Sequence, residues 1–210
     1  MSGKSIQNTL NRAFNTVGKI LGWEFSVYRP TNWLNPVQDA NFVGKYTVST
    51  SKDENFVMED EELTKFRLFI NADRVQLGDI LHSEELEKTY VVFDKVELRA
   101  PLGVLAQDRF NVLRPTLTTG DKPRGFETIG TEIPGALKIA GTSTTDGALK
   151  VTTATLNSGS HQIEVWTWVP ANFIRINDVL ELNDIRYLVN FAQTTGKGTK
   201  LRATSTKVTK

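Results

Sequence analysis

The residues with the most obvious chemical potential in this sequence are two histidines, a phosphate-loop-like tripeptide and a run of acids. His82 and His161 lie near turn signals, without a second histidine or a carboxylate at metal-ligand spacing, and read as surface histidines. A hydrolytic triad needs a nucleophile beside one of them, and no Gly-x-Ser-x-Gly elbow is present. Gly3-Lys4-Ser5 matches the end of a phosphate-binding loop but lacks the glycine four residues earlier and the preceding strand. Glu59-Asp60-Glu61-Glu62 offers carboxylates, but consecutive acids rarely converge on one cation, and the run reads as a solvated loop. The expectation is a protein with no catalytic residues, no cofactor and no metal.

Charge and aromatic content point to surfaces instead. The 210 residues carry a net charge of +1, with 39% hydrophobic and 23% charged residues, a composition typical of a folded domain. Between Asp53 and Glu97 there are 13 acids against 5 bases, whereas no acid follows Asp184 and residues 1–23 hold Lys4, Arg12 and Lys19 without an acid. Basic ends around an acidic middle can steer head-to-tail docking, or can simply be solvated surface. The C-terminal bases are spread among Thr and Ser with no aromatic after Phe191, so direct nucleic-acid binding is not expected. No stretch reaches the length of a membrane span. The absence of cysteine and of a signal-like apolar start leads us to expect a protein made in the cytoplasm.

These groups must be positioned by a few elements. Ser5 is a candidate N-cap for a helix over 5–21, in which Ile6, Leu10, Phe14, Val17 and Leu21 form one apolar stripe, Asn8, Asn11, Arg12, Asn15 and Lys19 lie opposite, and Gly22 supplies a stop. The stripe packs on its own domain by default, or docks in a partner's groove. From Trp23 the period changes to two: Phe25 and Val27 share a face until Pro30, and residues 31–41 around Trp33 read as loop. Further strands are expected at Lys45–Ser49, Lys65–Ile70, Thr89–Leu98 and Arg109–Leu113. In 161–169, Trp166 and Trp168 alternate with Ile163, Val165 and Val169. The Trp face is either core, the default, or an interaction surface.

Two internal echoes stand out. Residues 135–139 and 147–151 are near-copies that suit a hairpin. Residues 74–81 followed by Thr89-Tyr90-Val91-Val92 match 175–180 followed by Arg186-Tyr187-Leu188-Val189, each with a turn at Gly78-Asp79 or Asn177-Asp178 between short strands. Residues 116–135, with four Gly and two Pro, lack either period. The resulting expectation is a mainly β chain: an N-terminal amphipathic helix (1–22), a first β domain (23–115), a linker or long loop (116–135) and a second β domain (136–210), each domain a small barrel or sandwich.

The helix, then Gly22-Trp-Glu-Phe-Ser-Val-Tyr-Arg-Pro30, the Gly78-Asp79 turn and Arg109…Leu113-Arg114-Pro115 together resemble a group of tailed-bacteriophage virion proteins of the tail and baseplate, over residues 5–116. The turn-then-aromatic-strand pattern is also similar to β-barrel modules of phage neck and tail-completion proteins. The resemblance implies a non-catalytic component of the virion tail or baseplate, assembled in the host cytoplasm, an adaptor in a ring with copies of itself and other tail proteins as partners. A head-to-tail neck protein is the alternative, and a glycan-binding adsorption module using Trp166 and Trp168 is another of a different class. The expected contact residues are Ile6, Leu10, Phe14, Val17, Trp33, Trp166 and Trp168.

Overall fold

A computed structural model describes residues 3–52, 63–117, 123–139, 143–145, 148–150, 162–196 and 198–205. The chain divides into two compact units, Met1–Asn32 with Pro36–Gln107, and Trp33–Asn35 with Asp108–Lys210. It is mainly β, with one N-terminal helix, as the sequence pattern predicts.

The first unit opens with helix α1 (Gly3–Leu21) and continues with strands β1 (Trp23–Tyr28), β2 (Phe42–Lys52), β3 (Lys65–Phe69), β4 (Ile80–Ser83), β5 (Lys88–Asp94) and β6 (Leu102–Leu105). The six strands close into a barrel in the order β1-β2-β3-β6-β5-β4, with β4 pairing back onto β1 through Ser26↔His82, Val27↔Leu81 and Tyr28↔Ile80. Closure gives every strand of the sheet two neighbours and leaves no edge strand. The period-2 pattern decides what fills the interior: Phe25, Val27, Leu68, Leu81, Tyr90 and Val92 are all buried.

The second unit holds β7 (Asp108–Leu117), β8 (Pro123–Ile139), a small hairpin of β9 (Ser143–Thr145) and β10 (Ala148–Lys150), then β11 (Gln162–Thr167), β12 (Val179–Leu182), β13 (Ile185–Thr195) and β14 (Gly198–Ser205). Six of these close into a second barrel, β7-β8-β11-β14-β13-β12, around Phe110, Val112, Ile133, Val165, Leu180 and Val189. Counted by position, both barrels have the strand order first-second-third-sixth-fifth-fourth. The hairpin β9–β10 is an insertion between the second and third strands of the second barrel.

The likeness extends to single hydrogen bonds. Arg29 follows β1 and sends Nε and a terminal nitrogen to the two carboxylate oxygens of Asp79, at 2.8 and 2.7 Å. Arg114, near the end of β7, grips Asp178 in the same way at 3.0 and 2.8 Å. Each carboxylate also accepts the backbone N–H three residues before it, from Gln76 at 2.7 Å and from Arg175 at 2.8 Å. Each aspartate carbonyl accepts from a fifth-strand valine, Val92 or Val189, and that valine's carbonyl accepts from Gly78 or Asn177. Gly78 and Asn177 sit at φ of 84° and 76°, the left-handed region that Gly and Asn tolerate. One residue past each valine, the fifth strand bulges against the sixth.

Several sequence expectations are corrected. Residues 116–135 are no linker: Thr116 and Leu117 end β7 and residues 123–135 lie in β8, while 118–122 fall outside the described residues. The β7–β8 ladder shifts register three times, which blurs the period of two that marks an ordinary strand. The first barrel therefore ends before Asp108, and Arg114-Pro115, the counterpart of Arg29-Pro30, belongs to the first strand of the second barrel. The near-copies 135–139 and 147–151 do not pair with each other. Gly135–Ile139 pairs with β11, and Ala148–Lys150 with Ser143–Thr145, while Gly147 and Val151 lie outside the described residues. The residues just before each Asp-centred turn are loop and not strand. Ser5 is no cap, because α1 already begins at Gly3.

The locks and the β7–β8 ladder can each be tested. Removing either carboxylate leaves one backbone N–H without its acceptor and a partly exposed arginine without its partner, so Asp79→Ala and Asp178→Ala should each destabilise by on the order of 2 kcal/mol in urea unfolding. Burial pushes the Asp108 carboxyl above its usual range, partly offset by the Leu137 N–H donating to Oδ2 at 3.0 Å. Its raised folded-state pKa means that the folded protein holds this proton more tightly than the unfolded one. The resulting stabilisation is present at acid pH and is lost as pH rises from the ordinary carboxylate value through the raised one. Asp108→Asn, which keeps an acceptor, should abolish that part of the pH slope in thermal melts recorded from pH 3 to 7.

Candidate interaction surfaces

Helix α1 presents two parallel rows. Gln7, Asn11, Phe14 and Gly18, at spacings of four, three and four, form the row that holds the helix to its own barrel. The Asn11 side chain, 3% exposed, donates to Asp73 Oδ2 at 2.9 Å and accepts from Gln7 Nε2 at 3.0 Å and from the Ala72 backbone N–H at 3.4 Å. Gln7 Oε1 accepts from the Leu98 N–H at 2.6 Å, and Phe14 meets Phe69 edge-on at 5.9 Å between centroids. A Cβ on Gly18 would lie 2.7 Å from the Thr47 carbonyl oxygen and 2.8 Å from that of Phe69, so only glycine lets the helix backbone rest on β2 and β3.

The expected stripe is thus divided between the rows. Phe14 is in the docking row, and Asn11, assigned to the polar side from sequence, is buried there with Gly18. Ile6, Leu10 and Val17 fall in the second row, one residue back along the chain, together with Ala13 and Ile20. Ile6 and Ile20 are 39% and 73% exposed, Ala13 is exposed, and Leu10 and Val17 are half-buried. The second row is therefore not what anchors the helix.

Trp33 packs half-buried against the core of the second unit, beside Leu34, whose carbonyl accepts from the Thr131 N–H at 2.6 Å and its hydroxyl at 2.7 Å. It is accounted for within the chain. On β11 the core is lined by Ile163, Val165 and Thr167, and the Trp166 face points outward, which reverses the default expectation. That outer face is electrostatically closed upon itself. Glu164 accepts from Arg202 at 2.6 Å and pairs with Lys200 at 3.4 Å, Lys200 lies over the Trp166 ring at 5.4 Å, and Arg202 over Phe191 at 5.3 Å. The indole N–H groups of Trp166 and Trp168 are buried, with no hydrogen-bond partner among the described residues.

Two further surface residues escaped sequence reasoning. Leu77 and Ile176 occupy equivalent positions in the two Asp-centred turns and are 60% and 57% exposed. The signal was present, because an aliphatic residue precedes Gly78 and Asn177 in both echoes, but turn geometry alone did not reveal that its side chain points to solvent.

The remaining candidates have ordinary surroundings. His82 Nδ1 lies 3.0 Å from Thr89 Oγ1, across the β4–β5 ladder. Lys4, Ser5, Asn8, Thr9 and Arg12 line a shallow polar hollow along α1, and Gly3-Lys4-Ser5 is its first turn rather than a loop after a strand. His161 and Glu59–Glu62 lie outside the described residues. Among the described residues no group of three or more His, Asp and Glu could hold a metal, and no helix is long and apolar enough to cross a membrane. No known protein-family model matches the chain, and no curated protein matches it significantly.

The docking row gives a test of sign. In a solvated helix, Gly→Ala stabilises by about 1 kcal/mol. At position 18 the added methyl meets two carbonyl oxygens, so Gly18→Ala should instead lower the melting temperature and speed hydrogen exchange more in α1 than in the barrel strands.

Proposed function

We propose that the chain is a non-catalytic structural protein of a tailed-phage virion, an adaptor of the tail or baseplate that assembles with copies of itself and with neighbouring tail proteins. The observation that carries this reading is the tandem duplication of one closed barrel, lock for lock, with an aliphatic side chain displayed at the same turn of each copy. Repeated modules that present the same contact suit multivalent assembly, in which modest interfaces add up to high avidity. The apolar row on α1 supplies a third such surface. The resemblance over residues 5–116 names the kind of particle.

The glycan-binding alternative loses support from the geometry of its two tryptophans. Sugar stacking needs a free aromatic face, and Trp166 carries Lys200 over its ring while its indole N–H is buried.

Antibodies against the purified chain should label intact particles at the tail or baseplate in electron micrographs. Label at the head–tail junction would make it a neck protein, and particles free of the chain would overturn the virion reading.

A further inference from the structure

We propose that two copies of the chain pair through α1, the row Ile6, Leu10, Ala13, Val17 and Ile20 of one copy packing against the same row of the other. The inference deepens the assembly reading above and rests on its claim of self-association. Three features of the row carry it.

The first is spacing. Steps of four, three, four and three place these residues at alternating a and d positions of a heptad, the narrow seam that packs against another helix and not against a sheet. Core-facing helices of globular domains use a wider stripe. Here the widening residues, Gln7 and Phe14, are already engaged with the helix's own barrel.

The second is exposure. The helix is anchored by the neighbouring row, so the seam is not needed to hold it, yet Ile6 and Ile20 stand 39% and 73% open to solvent, and Leu21 beside them 68%. Leu10 and Val17 between them are half-buried, so the open part of the row is Ile6, Ala13 and Ile20 with Leu21, and exposed apolar residues recurring along one side of a helix mark an interaction site.

The third is charge, which selects the occupant. The residues flanking the seam, Gln7, Thr9, Phe14, Thr16 and Leu21, carry no charge, and α1 contains no acid. Its cations, Lys4, Arg12 and Lys19, fall at outer heptad positions. A helix that selects a foreign partner does so through charges at the flanks, and a helix with like charges there would repel its own copy. Neutral flanks with cations turned away satisfy the one requirement of homotypic pairing, that two identical positive helices meet without opposing like charges. The seam spans about 21 Å, at 1.5 Å per residue, so a single contact is weak and gains strength through repetition in an assembly.

Sedimentation equilibrium of the full chain should show reversible dimerisation. Ala13→Glu with Ile20→Glu should weaken it at least about tenfold. Arg12→Glu with Lys19→Glu, at outer positions, should change it by less than about threefold. Circular dichroism checks that the variants keep their helix. A second measurement leaves the seam intact: the sequence has no cysteine, so a nitroxide on Thr16→Cys is the sole label and should report a copy-to-copy distance under about 30 Å, given interaxial separations of 8–10 Å. A chain that stays monomeric, a dimer indifferent to Ala13→Glu/Ile20→Glu, or the absence of inter-copy coupling overturns the pairing. A monomeric chain that still labels particles overturns the pairing alone, and a dimeric chain absent from particles overturns the virion reading alone.

Discussion

One buried aspartate in each barrel, Asp79 or Asp178, ties together the strands whose meeting closes it. Asp79 stands immediately before the fourth strand, accepts both arms of Arg29 from the end of the first strand, and bonds through its carbonyl to Val92 of the fifth. Asp178, Arg114 and Val189 repeat this. The seam between first and fourth strands is the last ladder needed to remove the sheet's edges, and it joins segments far apart in sequence, where loop-closure entropy opposes pairing most. A carboxylate with 1% or 3% of its side chain exposed is tolerable only because a guanidinium and a backbone N–H complete its hydrogen bonds. The barrel without the lock would hold an unpaired charge, and the lock without the barrel would be a solvated ion pair of little worth.

Duplication of the lock explains why the two halves differ where they do. The closing triad, the left-handed turn residue and the fifth-strand bulge form one geometric unit and are alike in both barrels. The appendages differ between the barrels: α1 precedes the first strand of one, and the β9–β10 hairpin interrupts the second-to-third connection of the other. A closed barrel of this kind is a scaffold, and what distinguishes its roles is what it carries.

Much of this was legible in the sequence and some was not, for identifiable reasons. Mainly β class, the N-terminal helix and the inward face of β1 follow from period alone. The echo of 74–92 in 175–189 was visible because Gly or Asn followed by Asp is demanded by backbone geometry, and backbone demands leave residue-type signatures. The other half of the lock was hidden: Arg29-Pro30 and Arg114-Pro115 look alike, yet nothing in a linear string ties an arginine to an aspartate 50 or 64 residues away. Read without that tie, Arg114-Pro115 marked an end instead of a beginning, and the domain boundary was misplaced. Of the bulged β7–β8 hairpin, Arg109–Leu113 is legible as a strand, whereas β8 is not, because register shifts erase the alternation that identifies strands. Alternation over 161–169 separates two faces but does not say which turns inward: Ile163, Val165 and Thr167 line the barrel interior, while Trp166 lies under Lys200 and Trp168 beside Gly198.

Helix α1 shows why hydrophobicity alone misjudges which face docks. An apolar row gains by leaving water against any apolar surface, but the outside of a closed barrel presents carbonyl oxygens and polar side chains as well. Against that surface the closest approach falls to the row with glycine at 18 and asparagine at 11, where backbone meets backbone and the amide satisfies Asp73 and Ala72. Orientation about the helix axis is thus set by a hydrogen-bonded amide and a missing side chain, with Phe14 on Phe69 as the apolar complement. Rotating α1 by one residue, roughly 100°, would bury Leu10 and Val17 more fully, but would withdraw Asn11 from Asp73 and drive Val17 into the carbonyls that Gly18 now faces. Steric and hydrogen-bond terms therefore outweigh the hydrophobic gain, and Leu10 and Val17 stay only half-buried while Ile6, Ala13 and Ile20 remain exposed.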